Sequence, residues 1–176
     1  GIIKGEIIDL IHSKGHSAPL LKVKYENGKE ALIPSFEGAF IGKEVEINQT
    51  EKLNREDVKV GNAYSLANIP EGTQIFNIEL TPGDSGKLVK TGGTFATVVA
   101  HNKGMTKIVL PSKKTKLLLG KCRAFVGQIG GGSRLEKPFL KAGLKFMAMK
   151  KKNKGDNNST YTKMLPKNHK WPLSGK

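Results

Sequence analysis

Two histidines stand four residues apart near the start of the chain, where residues 12–16 read His-Ser-Lys-Gly-His. Histidines at this spacing bind zinc when a helix places both on one face, usually with a glutamate between them. Here Gly15 disfavours a helix, and the chain's one cysteine, Cys122, cannot complete a zinc site of common ligand spacing. We therefore predict no metal site, interpret the histidines as loop residues facing solvent or a phosphate, and expect Cys122 to be buried as a small hydrophobic residue.

A serine sits in the setting typical of protease nucleophiles, since residues 83–86 read Gly-Asp-Ser-Gly. Ser85 would need a general-base histidine and an orienting aspartate. The two loop histidines are the only ones that precede it, and Lys87 stands where the protease motif has glycine. We favour the alternative, a Pro-Gly-Asp turn at residues 82–84 between two strands. We predict that the protein is not an enzyme and has no catalytic residue.

Glycine-rich phosphate sites are a further possibility, and residues 130–134 read Gly-Gly-Gly-Ser-Arg. Gly86-Lys87 lacks the other residues of a P-loop. The glycine run is flexible backbone that can approach a sugar-phosphate chain closely, and its N–H groups can surround an anion. The alternative is a plain linker, and the two interpretations are compatible.

The charge is distributed unevenly along the chain. Residues 1–80 contain nine Lys and Arg against twelve Asp and Glu, a net charge of −3. Residues 81–176 contain twenty-one against three, a net charge of +18. An excess of this size on one side attracts polyanions, and nucleic acid is the commonest partner of that kind. Aromatic residues are only 6% of the chain, which favours folded RNA over a single strand stacked on rings.

Cationic, histidine and glycine residues in loops, turns and the basic extension make up the predicted RNA-binding set. Its members are His12, Lys14, His16, Lys87, Lys90, Lys113, Lys114, Lys116, Arg123, Gly131, Gly132, Arg134, Lys137, Lys141, Lys145, Lys150, Lys151, Lys152 and His169. On a helix, the spacing of the later lysines gives one cationic stripe, which is repulsive unless an anion lies against it.

The elements that position these residues are mostly short strands. Alternating or β-branched apolar runs, separated by Gly, Pro or Asn, predict strands over residues 2–11, 20–25, 31–34, 42–47, 74–80, 86–89, 94–100, 107–110, 116–119 and 124–129. Asn27-Gly28 predicts a hairpin, the polar residues 48–62 read as a linker, and residues 139–147 could form a short helix. The chain is therefore predicted to be all-β, with two small barrels and a basic C-terminal extension. No apolar run is long enough to span a membrane.

Several stretches resemble the ribosomal protein L2 family of the large ribosomal subunit, in its archaeal and eukaryotic branch. They are residues 1–5 (Gly-Ile-Ile-Lys-Gly), 9–12 (Asp-Leu-Ile-His), 18–20 (Ala-Pro-Leu), 69–73 (Ile-Pro-Glu-Gly-Thr), 82–88 (Pro-Gly-Asp-Ser-Gly-Lys-Leu), 96–102 (Ala-Thr-Val-Val-Ala-His-Asn) and, most specifically, 130–143 (Gly-Gly-Gly-Ser-Arg-Leu-Glu-Lys-Pro-Phe-Leu-Lys-Ala-Gly). The resemblance covers about residues 1–146.

The resemblance implies an OB-like barrel at 1–57, a linker at 58–61, an SH3-like barrel at 62–130 and a basic, largely irregular extension at 131–176. It implies a cytoplasmic structural protein of the large ribosomal subunit that binds ribosomal RNA near the peptidyl-transferase region and supports subunit assembly and translation. The expected partners are that RNA and neighbouring ribosomal proteins, with no membrane, no homo-oligomer and no cofactor beyond structural Mg²⁺ carried by the RNA. The alternative is a free translation or RNA-remodelling factor built from the same two barrels.

The extension departs from the family pattern near its end. Met164, Pro166 and His169 keep their places, but Leu165 stands where the family has asparagine, and Lys170 where it has proline. These differences indicate a divergent or partial member of the family.

Overall fold

The computed structural model describes residues 2–48, 54–136 and 138–153. The chain divides into two compact units, residues 1–136 and residues 137–176. Every strand of the described residues lies in the first unit, whereas their one α-helix lies in the second. No helix in the described part of the chain is long and apolar enough to cross a membrane.

The first unit is all-β, which confirms the predicted fold class. Its ten strands are β1 (Ile2–Ile11), β2 (Leu20–Tyr25), β3 (Glu30–Pro34), β4 (Glu44–Asn48), β5 (Ala63–Ser65), β6 (Gln74–Phe76), β7 (Ala96–Asn102), β8 (Met105–Val109), β9 (Thr115–Leu119) and β10 (Arg123–Val126). They form one continuous sheet in the order β3-β2-β1-β4-β5-β10-β6-β7-β8-β9. Neighbours are antiparallel except β4 and β5, which run parallel. This parallel pair joins a first strand group, β1–β4, to a second, β5–β10, and we refer to the two groups as the first and second barrels.

The first strand group encloses its own core. Side chains along β2 alternate between buried and more exposed positions, as its sequence predicts. Leu21, Val23 and Tyr25 point inward. The Asn27-Gly28 hairpin joins β2 to β3, with Gly28 at a φ of 76°. The buried members of this core are Ile7, Ala18, Leu21, Val23, Tyr25, Ile33, Phe36, Val45, Phe76 and Ile129.

The second strand group has a separate core. Its buried members are Tyr64, Leu66, Ile69, Ile75, Ile78, Ala96, Val98, Ile108, Leu118, Cys122, Ala124 and Val126. Phe76 lies on β6 of this group but packs into the first core, with its ring centre 6.5 Å from Phe36 and 5.6 Å from Phe125. The aromatic contacts therefore bind the two barrels together.

Two local predictions are wrong. The strand predicted over 74–80 ends at Phe76 because Asn77 turns to a φ of 46°, and residues 86–89 contribute only an isolated bridge between Leu88 and Ile78. Among the described residues of the predicted linker at 48–62, Asn48 alone belongs to a strand, as the last residue of β4.

The second unit contains the helix α1 (Ala142–Asn153). It begins three residues later than the predicted helix at 139–147 and continues to Asn153. Its described side chains, including Leu144 and Phe146, are exposed. Residues 154–176, which contain the departures from the family pattern, lie outside the described residues.

Candidate nucleic-acid interface

The histidine loop lies beside the glycine-rich segments. Within the loop, Ser13 Oγ is 2.9 Å from His16 Nδ1. The backbone N–H of Gly92 donates to Ser17 Oγ over 2.7 Å, and a Cβ placed on Gly131 would lie 3.5 Å from Ser17 O. His12, Lys14 and His16 are exposed on this loop. The fold therefore brings together the predicted residues of the histidine loop and the glycine run, which are far apart in sequence.

The glycines pack the chain against itself. A Cβ on Gly93 would lie 2.4 Å from the Cα of Gly132, and a Cβ on Gly130 would lie 2.9 Å from Ser35 Oγ. The Gly93 N–H donates to Ile129 O, and its carbonyl accepts from Gln128 Nε2. A Cβ on Gly132 would lie 3.1 Å from the Cα of Gly93, so the backbone of this segment is closely packed at Gly130 and Gly132. The approach of Gly131 and Gly132 to RNA stays a prediction.

A tight turn positions Ser85 and Lys87. The Asp84 carboxylate accepts backbone N–H groups from Leu80, Thr81 and Gly86 over 3.0 to 3.2 Å. Although desolvation opposes the ionised form, these bonds and the nearby Lys87 ammonium lower the pKa of Asp84. The turn is built by a carboxylate that organises backbone, as the Pro-Gly-Asp alternative expects. Within the described residues, no hydrogen bond joins Ser85 to a histidine.

Arg123 differs from the other predicted cations because its charge is already compensated. Its Nε and Nη2 atoms donate to Glu79 Oε1 over 3.0 and 2.7 Å. Its backbone N–H and that of Gly83 donate to Glu79 Oε2. Burial disfavours the charged form of Glu79, but these bonds outweigh burial and lower its pKa. Arg123 is therefore held within the fold, and its contact with RNA stays a prediction.

Cys122 is fully buried beside this pair, as predicted. Its Sγ lies 3.6 Å from Leu80 O. Burial raises the pKa of the thiol, and the carboxylates of Glu79 and Asp84 raise it further. The residue is a packed, protonated thiol in the described structure.

The lysines of the second barrel are exposed. Lys113 and Lys114 lie in the turn between β8 and β9, which closes through a bond from the Leu110 N–H to Lys114 O. Lys116, predicted to lie in this loop, is on β9. The described ion pairs join Arg123 to Glu79 and Lys22 to Glu30. Lys90, Lys113, Lys114 and Lys116 are in neither of these pairs, so their charges are available to an anion.

The sequence prediction missed exposed lysines on the same barrel. They are Lys103, Lys107 and Lys121. Strand alternation could have found Lys107, because it lies between the buried Thr106 and Ile108 on β8. These residues extend the exposed positive charge along the barrel.

In the second unit, Lys141, Lys145 and Lys150 are exposed. The Lys145 N–H bonds to the Lys141 carbonyl over 3.4 Å, one helical turn apart. Lys137 and His169 lie outside the described residues, as do the side chains of Lys151 and Lys152 in this unit and of Arg134 in the first unit. Among the described residues, no cluster of His, Cys, Asp and Glu could hold a metal ion.

Comparison with known proteins identifies the chain's relatives. A sequence profile described as "Ribosomal Proteins L2, C-terminal domain" matches residues 59–170. A protein named "Large ribosomal subunit protein uL2" from Methanothermobacter thermautotrophicus is 46% identical over 154 residues, covering 88% of this chain and 62% of the relative. Proteins of the same name from Methanocaldococcus jannaschii and Methanococcus maripaludis are each 45% identical over 152 residues, covering 86% of this chain and 61% of each relative. The chain thus spans about three-fifths of the length of these relatives.

Proposed function

This chain belongs to the ribosomal protein L2 family, and we propose that it is a structural constituent of the large ribosomal subunit that binds large-subunit ribosomal RNA. The observation that carries the proposal is the exposed positive charge on the second barrel and on α1, which takes part in neither ion pair of the described residues apart from Arg123. Phosphate contacts of this kind supply affinity and fix orientation, whereas shape supplies much of the specificity for folded RNA.

The finer parts of the proposal concern the site of binding. RNA lies against the second barrel, the histidine loop beside the glycine run, and the extension, near the peptidyl-transferase region. Neighbouring ribosomal proteins are the other partners, and the protein acts as one copy per subunit in subunit assembly. It performs no chemistry of its own and needs no cofactor, since structural Mg²⁺ belongs to the RNA.

A matched pair of lysine variants tests the phosphate contacts. In the Lys141→Gln variant, log affinity for a large-subunit RNA fragment should depend less steeply on log salt, by about one unit of slope, because one released counterion is lost. Lys29→Gln removes a charge that is also exposed, from the negative half of the chain, and should leave the slope unchanged. Equal slopes for Lys141→Gln and the wild type would remove Lys141 from the contact set.

Co-sedimentation separates a resident ribosomal protein from a free translation or RNA-remodelling factor. A resident protein stays with the large subunit in a one-to-one ratio after a high-salt wash, because many phosphate contacts and shape complementarity act together. Loss to the supernatant would contradict the proposal and support the free factor.

A further inference from the structure

A pocket lies where the two barrels meet, and phosphate binding by exposed lysines does not account for it. Its volume is about 260 Å³. Tyr25 and Leu32 line it from the first barrel, and Asn77, Ser85 and Phe125 line it from the second. The volume suits one small planar group, since pockets for larger ligands begin at roughly 300 Å³.

The hairpin that forms one wall of this pocket is strained. Asn77, Ser85 and Val89 have φ values of 46°, 63° and 54°, a region that non-glycine residues rarely adopt and that is a true outlier for a β-branched residue. Asn77 Oδ1 is buried without a hydrogen-bond partner among the described residues, packed against Gly86. Strained backbone and an unsatisfied buried amide tend to occur together at ligand sites, where the surrounding structure holds them in place.

The rigidity of the same hairpin explains how this strain persists. Glu79 and Asp84 together accept five backbone N–H groups, and Arg123 ties Glu79 to β10. Because these bonds hold both ends of the turn, Ser85 and Asn77 keep their positions without a ligand. The pocket is therefore preformed, which lowers the entropy lost on binding.

The chemistry of the lining favours a nucleobase over a phosphate. Arg123 lines the pocket, but its guanidinium is already bonded to Glu79, so it offers an anion little uncompensated charge. Phe125, Leu32 and Ile33 supply apolar contact for a ring face. Tyr25, Asn77 and Ser85 carry hydroxyl and amide groups of the kind that bind base edges in RNA. Burial raises the pKa of Tyr25 despite the nearby Arg123, so its hydroxyl keeps its proton and can donate.

We propose that this pocket between the barrels receives one unstacked base of the bound RNA, with the base lying against Phe125 and its edge facing Tyr25, Asn77 and Ser85. The proposal rests on the proposed function, because it assumes that the ligand is large-subunit RNA. It adds a base-specific contact to an interface otherwise made of phosphate contacts.

Two substitutions by tryptophan test the pocket. Leu32 and Ile41 are each 57% exposed, and both belong to the first barrel. Leu32→Trp fills the pocket mouth, whereas Ile41→Trp adds a ring to the same barrel at a residue that does not line the pocket. The full chain of each variant is titrated with the large-subunit RNA fragment that the wild type binds most tightly, at several salt concentrations.

The expected result is that Leu32→Trp weakens binding about tenfold at every salt concentration, the scale of one lost stacking contact, while the salt slope stays that of the wild type. Ile41→Trp should stay within about twofold of the wild-type affinity. The proposal of a base pocket would be contradicted by unchanged affinity in Leu32→Trp or by equal losses of affinity in both variants. It would also be contradicted by a salt slope reduced by about one unit in Leu32→Trp, because that would show a phosphate contact. If the wild type itself binds no fragment, the proposed function fails, and the pocket proposal fails with it.

Discussion

Apolar side chains are used differently in the two units. In the first unit, residues such as Leu21 and Ile75 are completely buried in one of two cores. On α1 of the second unit, Leu144 and Phe146 expose 57% and 63% of their surface. A chain gains stability from apolar groups only when they leave water. The first unit is therefore stabilised by its own buried apolar side chains, whereas the described apolar side chains of the second unit remain in contact with water.

The two units also differ in how their charged side chains are compensated. The first unit pairs its buried carboxylate, Glu79, with Arg123 and uses Asp84 to hold a turn. Residues 137–176 contain eleven lysines and a single acidic residue, Asp156. Charges of one sign at short spacing repel each other until an anion approaches. Under the proposed function, RNA supplies that anion to the second unit, while the first unit folds around its own two cores.

Ending the chain after Glu136 is the strongest test of this difference. The truncated protein should keep the wild-type thermal midpoint, because both cores lie within residues 2–136. Its affinity for large-subunit RNA should fall about a thousandfold near 0.1 M salt, since many phosphate contacts are lost at once. Thermal unfolding and RNA titration measure the two effects. A lowered midpoint with unchanged affinity would reverse the roles of the two units.

The glycine packing in the first unit can be tested with one methyl group. Gly93→Ala should lower the free energy of unfolding by about 3 kcal/mol, because the new Cβ would lie 2.4 Å from Gly132 Cα at a φ of 73°. Gly104→Ala is the matched control: its φ is 80°, but nothing lies within 4 Å of the new Cβ. It should cost about 1 kcal/mol. Urea unfolding gives both values, and similar losses would show that the Gly93 contact relaxes freely.

The alternation of apolar and polar residues and the presence of turn-forming residues predicted most of the strands, because both signals depend only on neighbouring residues. Alternation in residues 20–25 and the Asn27-Gly28 turn correctly place β2, β3 and the hairpin. The strand over 74–80 failed because Asn77 is held in a left-handed conformation by Val89 O and the packing of Gly86, contacts that no local pattern contains. The strand β5 escaped notice because its three residues are too few to show a period.

The sequence predicted that the candidate site is rich in lysine, but it did not predict which residues the fold brings together. Lysine counts indicated a polyanion, and the exposed Lys113 and Lys114 agree with the expected solvent-facing turn. The sequence could not distinguish Arg123 from these residues, because Glu79, its partner, stands forty-four positions away. The pocket between the barrels also depends on distant residues, since Tyr25 and Phe125 meet only in the folded chain.

The ion pair gives the final prediction, because it distinguishes charges that serve the fold from charges left for RNA. Arg123→Gln should lower the free energy of unfolding by about 3 kcal/mol at pH 7, since it leaves the Glu79 carboxylate, 4% exposed, without its cation. Lys22→Gln breaks the Lys22–Glu30 pair, whose side chains are 35% and 46% exposed, and should cost less than about 1 kcal/mol.

The pH dependence of this difference provides an independent check. The pKa of Glu79 is lowered in the fold, so the stabilisation from its ionised form is complete above the pKa of an unfolded glutamate, about 4.3. It is lost as the pH falls through the lower folded value. The gap in unfolding free energy between the wild type and Arg123→Gln should therefore narrow below about pH 4, as measured by urea unfolding from pH 7 downward. A gap that stays constant to pH 3 would mean that Arg123 stabilises the fold through packing of its side chain rather than through the charge of Glu79.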